Sequence, residues 1–128
     1  MREVRVVIAF IGIVIAGCFS NNSEKPPPLT FPCEIETILS NRCWECHSAP
    51  PAQGVPFSLE MLDDTRKTTS LTNSGEPAPI WQAMAEAIRD KRMPLSAVTF
   101  TPDPLPDGER DVMLSWLDQG APAGERCR

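Results

Sequence analysis

An all-α fold is predicted by three features of this chain. Three stretches repeat their apolar residues at helical spacing, no segment between them alternates or gathers β-branched residues as a regular strand would, and the longest connection is rich in proline and glycine. At 128 residues the chain has room for one domain and not for two.

That domain does not begin at the N-terminus. Arg2 and Arg5 precede Val6–Gly17, an uncharged run of 12 residues, which falls short of the ~20 a helix needs to cross a bilayer. It has the layout of an export signal. The run closes on Ile15-Ala16-Gly17-Cys18, which resembles the lipobox of bacterial lipoproteins. The resemblance implies cleavage of residues 1–17 as a signal peptide and acylation of Cys18. A plain signal peptide cut elsewhere and an uncleaved anchor are the alternatives. Residues 18–32 then read as a lipidated, proline-rich tether. Its stretch Phe19–Pro32, extended at about 3.1 Å per residue, would hold a domain up to ~40 Å from its lipid.

The folded domain spans residues 33–128. Its first predicted helix runs from about Pro32 into Cys43-Trp44-Glu45-Cys46-His47, with Glu34 and Glu36 near its positive end and Ile35, Ile38 and Leu39 on one stripe. About thirty residues follow, with Pro50, Pro51, Gly54 and Pro56. That is too long for an ordinary connection in a small domain and suits a segment wrapped around a large planar ligand. A second helix is predicted over about Ala78 to Arg92, with Ile80, Trp81, Met84, Ala87 and Ile88 at helical spacing, basic residues at its end, and Pro94 as its stop. The third begins near Asp107, turns Val112, Met113, Trp116 and Leu117 inward, and ends before Gly120 and Pro122.

Chemistry concentrates in the pentapeptide 43–47, which holds the only histidine of the chain. C-x-x-C-H is the attachment signature of c-type haem, in which two thiols add across two vinyl groups and the adjacent imidazole binds iron. One helical turn brings both sulfurs to neighbouring edges of a porphyrin and the histidine beneath its centre. A redox dithiol would need a strand-to-helix setting that is not evident here, and structural zinc would want a second ligand pair.

With no second histidine, an intramolecular sixth ligand is methionine or lysine; otherwise the position is taken by an external molecule or by nothing. Met93, before Pro94, is the first candidate; Met61 is a rival, and Lys91 lies close enough to substitute. Met84 and Met113 sit on helical stripes, where gap-filling is their expected role. The second ring nitrogen of His47 needs an acceptor, and the carbonyls of Pro50, Pro51 and Pro56 lie in the segment to search, unless those prolines only shape the loop. Trp81 either hydrogen-bonds a haem propionate or fills the core, and Trp116 reads as core.

The cysteine count closes without remainder. Of five, Cys18 takes lipid and Cys43 and Cys46 take haem, which leaves Cys33 and Cys127 as a pair in an oxidising compartment. Their disulfide would stabilise the domain by roughly 4 to 5 kcal/mol. A free thiol or a bridge to another molecule is the alternative.

Helix, C-x-x-C-H, long loop, helix, Met93-Pro94 and a terminal helix ending Leu114-Ser115-Trp116-Leu117-Asp118-Gln119-Gly120-Ala121-Pro122 resemble a monohaem class I cytochrome c over residues 33–128. The resemblance implies a cytochrome c-like fold in which the first and last helices cross and haem fills the interior. It also implies thioethers at Cys43 and Cys46, His47 as proximal iron ligand and Met93 as distal ligand.

The formal charge is −5, and removal of residues 1–17 takes away two arginines and one glutamate to leave −6. Such a chain is not expected to bind nucleic acid or anionic lipid; it favours redox partners with a basic docking face, and its membrane attachment would come from acyl chains. The expectation is a lipid-anchored electron carrier facing the periplasm, without substrate turnover of its own. The alternatives are a haem-based sensor or small-ligand binder with an open sixth position, a weak peroxidase, a thiol-disulfide oxidoreductase, and a haem module within a larger complex.

Overall fold

The structure, a computed structural model, describes residues 25–128. The expected signal peptide at 1–17, the acylated Cys18 and the first part of the tether lie outside the described residues. Over the described residues the chain is mostly helical, with four helices and one small ribbon: α1 Cys33–Arg42, α2 Trp44–His47, α3 Ile80–Arg89 and α4 Asp107–Asp118, with strands β1 Thr68–Thr69 and β2 Ala78–Pro79. A short 3₁₀ turn, Leu62–Arg66, precedes the ribbon. Among the described residues no helix is long and apolar enough to cross a membrane.

Each long helix starts after a proline. Pro32, Pro79 and Pro106 stand at the N-caps of α1, α3 and α4 with φ of −56°, −58° and −51° and ψ near 145°. Proline suits that place because the missing N–H has no helical partner to lose, while its carbonyl still accepts the first turn's bond. Glu36 N–H donates to Pro32 O at 2.9 Å and Arg110 N–H to Pro106 O at 2.9 Å.

The structure shortens or breaks two of the expected helices. The first does not run unbroken into the pentapeptide: Cys43, at φ −123° and ψ −38°, separates α1 from α2. The second is trimmed at both ends. Residues 78 and 79 pair with Thr69 and Thr68 in an antiparallel ribbon that periodicity did not predict, and beyond Arg89 the chain turns at Lys91, φ 56°.

Helix α4 packs against both α1 and α3. Ile35, Ile38 and Leu39 of α1, Ile80, Met84 and Ile88 of α3, and Met113, Trp116 and Leu117 of α4 form one buried cluster. Leu39, Met113 and Leu117 are wholly buried, and full burial of side chains of this size stabilises by roughly 1.5 to 3 kcal/mol each. Trp116 meets Phe31 edge-on at 5.8 Å and donates its indole N–H to Pro122 O at 2.9 Å, so its polar end is satisfied within the core.

After α4 the chain doubles back over α1. Gly120 takes φ 84°, a left-handed value that glycine adopts without penalty. The tail then pairs with the segment before α1: Gly124 N–H donates to Thr30 O at 3.0 Å and Thr30 Oγ1 donates to Gly124 O at 2.7 Å. A Cβ on Gly124 would lie 2.7 Å from Pro32 Cγ, so this approach requires glycine. Arg126 bonds Glu36 at 3.0 Å, and Cys127 forms a disulfide with Cys33.

Candidate functional site

The break at Cys43 builds the site. Its carbonyl accepts the N–H groups of Cys46, at 3.2 Å, and His47, at 2.9 Å, and this winds the four residues of α2 into one turn. That turn brings Cys43, Cys46 and His47 to the wall of a cavity of about 650 Å³. Phe57 from the following loop, Met84 from α3 and Met93 from the segment after α3 complete this part of the lining. Most of the remaining lining is apolar, including Leu59, Ile88 and Leu105, and a cavity of this size and character falls in the range that holds a substantial organic ligand.

Cys43 and Cys46 are free and half-buried. Burial pushes the Cys43 thiol up to about 11, with Arg42 opposing the shift and Cys46 and Glu109 adding to it. At neutral pH Cys43 is therefore a neutral thiol. His47 Nδ1 lies 2.9 Å from Phe57 O. A carbonyl only accepts, so Nδ1 carries the proton, and in the neutral ring Nε2 holds the free lone pair.

The acceptor is thus neither Pro50, Pro51 nor Pro56 but the residue that follows Pro56; Pro50 O instead accepts Ser48 Oγ at 3.3 Å. Phe57 had no local signal beyond its place in the loop. Its selection depends on Leu59 N–H donating to His47 O at 2.7 Å, a contact across the loop that aligns the two segments.

The methionines separate by place. Met93 lines the cavity and is 38 % exposed; Met61 does not line it and is 45 % exposed, at the start of the 3₁₀ turn. There Asp64 accepts Met61 N–H at 3.1 Å and Lys67 Nζ at 2.7 Å. Burial alone would raise the Asp64 carboxyl, but these partners outweigh it and hold it below the ordinary carboxylate value. Met113 is in the core, whereas Met84 serves both the core and the cavity wall. Trp81 packs against the core and is not part of the lining, and neither is Lys91.

Two charged side chains, Arg42 and Arg92, line the cavity. Arg42 forms a two-pronged pair with Glu109 at 2.9 and 3.1 Å, and Arg92 donates to Asn73 Oδ1 at 2.8 Å. Arg92 also pairs with Asp90 at 3.4 Å, so both guanidinium groups at the cavity already meet a carboxylate. Among the described residues no group of three or more His, Cys, Asp or Glu side chains converges to hold a metal ion. No protein-family model, curated protein or solved structure matches this chain.

Proposed function

We propose that the protein is an electron carrier with a cytochrome c-like fold and one covalently attached c-type haem, exported and held to a membrane by lipid on Cys18. One observation carries the proposal: two free thiols and the sole imidazole, its Nδ1 already engaged, meet on one wall of a large, mainly apolar cavity. These groups fit a porphyrin. Cys43 and Cys46 would bond its edge, His47 Nε2 would bind its iron, and Met93 is the cavity thioether placed on a loop after α3. Arg42 and Arg92, which already pair with Glu109 and Asp90, are the lining guanidinium groups that would meet its two carboxylates.

The haem, when bound, supplies a one-electron couple between ferric and ferrous iron. The chain's own residues set its environment. Apolar walls exclude water, Phe57 O holds the imidazole proton on Nδ1, and the soft thioether of Met93, if bound to the iron, would favour the ferrous state. If His47 and Met93 both held the iron, no coordination position would remain for a substrate, so the reading is a carrier and not an enzyme. A tether from Cys18 would confine it to a short radius around partners in the same membrane.

A thiol-disulfide oxidoreductase needs a lowered thiol pKa, and burial moves Cys43 the other way. The loop position and partial exposure of Met93 favour, as a second reading, a site whose sixth position opens to a small ligand. The test is production in a host with haem-attachment machinery, followed by mass spectrometry and reduced-minus-oxidised spectra. A haem-sized adduct and a low-spin c-type spectrum are expected. A colourless product with two alkylatable thiols would reject the proposal, and rapid, complete carbon monoxide binding at neutral pH would select the second reading.

A further inference from the structure

We infer that Phe57 and Trp44 are positioning residues that fix the rotation of the His47 ring; this rests on the haem reading above. Phe57 reaches the imidazole at two places. Its carbonyl accepts the Nδ1 proton at 2.9 Å, and its ring stacks on the imidazole face with centroids 5.3 Å apart and planes inclined by 30°. A hydrogen bond at one edge restrains the ring but leaves rocking about that bond. A packed face removes this freedom.

Phe57 can hold the imidazole only if its own segment is held. Leu59, almost wholly buried, ties that segment to the pentapeptide from both of its backbone groups: its N–H donates to His47 O at 2.7 Å and its carbonyl accepts Trp44 Nε1–H at 2.9 Å. Trp44 stands between the two cysteines. Its indole therefore couples the turn that carries both thiols to the loop that orients the imidazole. Glu60 adds a further tie by accepting Ala49 N–H at 2.7 Å.

The plane of an axial imidazole governs its overlap with the iron d orbitals, so ring rotation is read in the ferric electron paramagnetic resonance spectrum. The test compares the exported, haem-loaded wild type with Phe57→Leu, which keeps the carbonyl and removes the ring, and with Trp44→Phe, which keeps apolar bulk and removes one N–H. Phe57→Tyr restores a ring and serves as the rescue. Shifted, broadened low-spin signals are expected for Phe57→Leu, a smaller change in the same sense for Trp44→Phe, and a wild-type signal for Phe57→Tyr. Haem content and far-ultraviolet dichroism should stay unchanged throughout.

Spectra of Phe57→Leu and Trp44→Phe that superimpose on wild type would overturn the inference while leaving the haem reading intact. If Phe57→Leu is degraded, Trp44→Phe decides alone. Absence of a haem adduct in the wild type would overturn the haem reading itself, and this inference with it.

Discussion

The Cα atoms of Cys33 and Cys127 stand 4.4 Å apart although 94 positions separate them, and their side chains form a disulfide. The bond joins the first residue of α1 to the end of the tail that crosses it. Its neighbours work in the same sense: Arg126 pairs with Glu36, and Gly124 and Thr30 exchange two hydrogen bonds. The first helix is thus fastened at its start by the tail and at its far end by the turn that carries the thiols of the site.

Removing that fastening should cost much of the domain's stability. Cys127→Ser restores the entropy of a long open loop to the unfolded chain and is expected to destabilise by roughly 4 to 5 kcal/mol. Urea denaturation under oxidising conditions measures it. Wild type treated with a dithiol reductant should unfold at the variant's midpoint, and an unchanged midpoint in both would show that the disulfide does not contribute.

The proposed haem ligation predicts a contrast between two methionines. Met93→Ala should abolish the weak near-infrared ferric band of sulfur ligation and lower the reduction potential, because a soft donor that favours ferrous iron is lost. Met61→Leu should change neither, since Met61 does not line the cavity. A redox titration with optical spectra separates the outcomes, and a loss of the band on Met61→Leu would reverse the assignment.

Cys43 gives the attachment reading a pH signature. Burial raises its folded pKa from 9.0 to about 11, so the fold favours the neutral thiol. Stability from this group is complete below pH 9 and is lost as pH climbs through about 11, by roughly 2 to 3 kcal/mol. Protein whose thiols are free should show the loss in urea titrations at pH 7.5 and 10.5. Protein whose thiols are thioethers has nothing to titrate there and should lack this component.

Where the chain's own periodicity carries the signal, the sequence and the structure agree. Ile35, Ile38 and Leu39, then Ile80, Met84 and Ile88, then Met113, Trp116 and Leu117 repeat at helical spacing and are buried together. The pairing of Cys33 with Cys127 was legible for a different reason, a count of thiols in a chain expected to be exported. What escaped was set by contacts across the fold. A two-residue ribbon is too short to show alternation, and the break at Cys43 goes with ties that reach from Trp44 to Leu59. Which carbonyl meets His47 depends on the register between 44–49 and 57–60, and nothing local distinguishes Phe57 from the prolines before it. Met84 looked like a core residue and is one, but its helix also walls the cavity.

Two neighbouring residues of α4 offer a last test, of what holds α3 to it. Asp118 pairs with Arg89 of α3, but both side chains are about half exposed, 54 % and 47 %, and pairs so placed contribute ~1 kcal/mol or less. Leu117 is fully buried and belongs to the cluster that includes Ile80 and Ile88. Leu117→Ala removes its transfer energy and leaves a cavity that rigid helices fill poorly, so a loss of about 2 to 5 kcal/mol is expected. Asp118→Asn should cost ~1 kcal/mol at most and should matter less as salt rises. Urea midpoints of the two variants at low and high ionic strength measure this directly, and equal losses from both would mean that the helices are joined by charge as much as by packing.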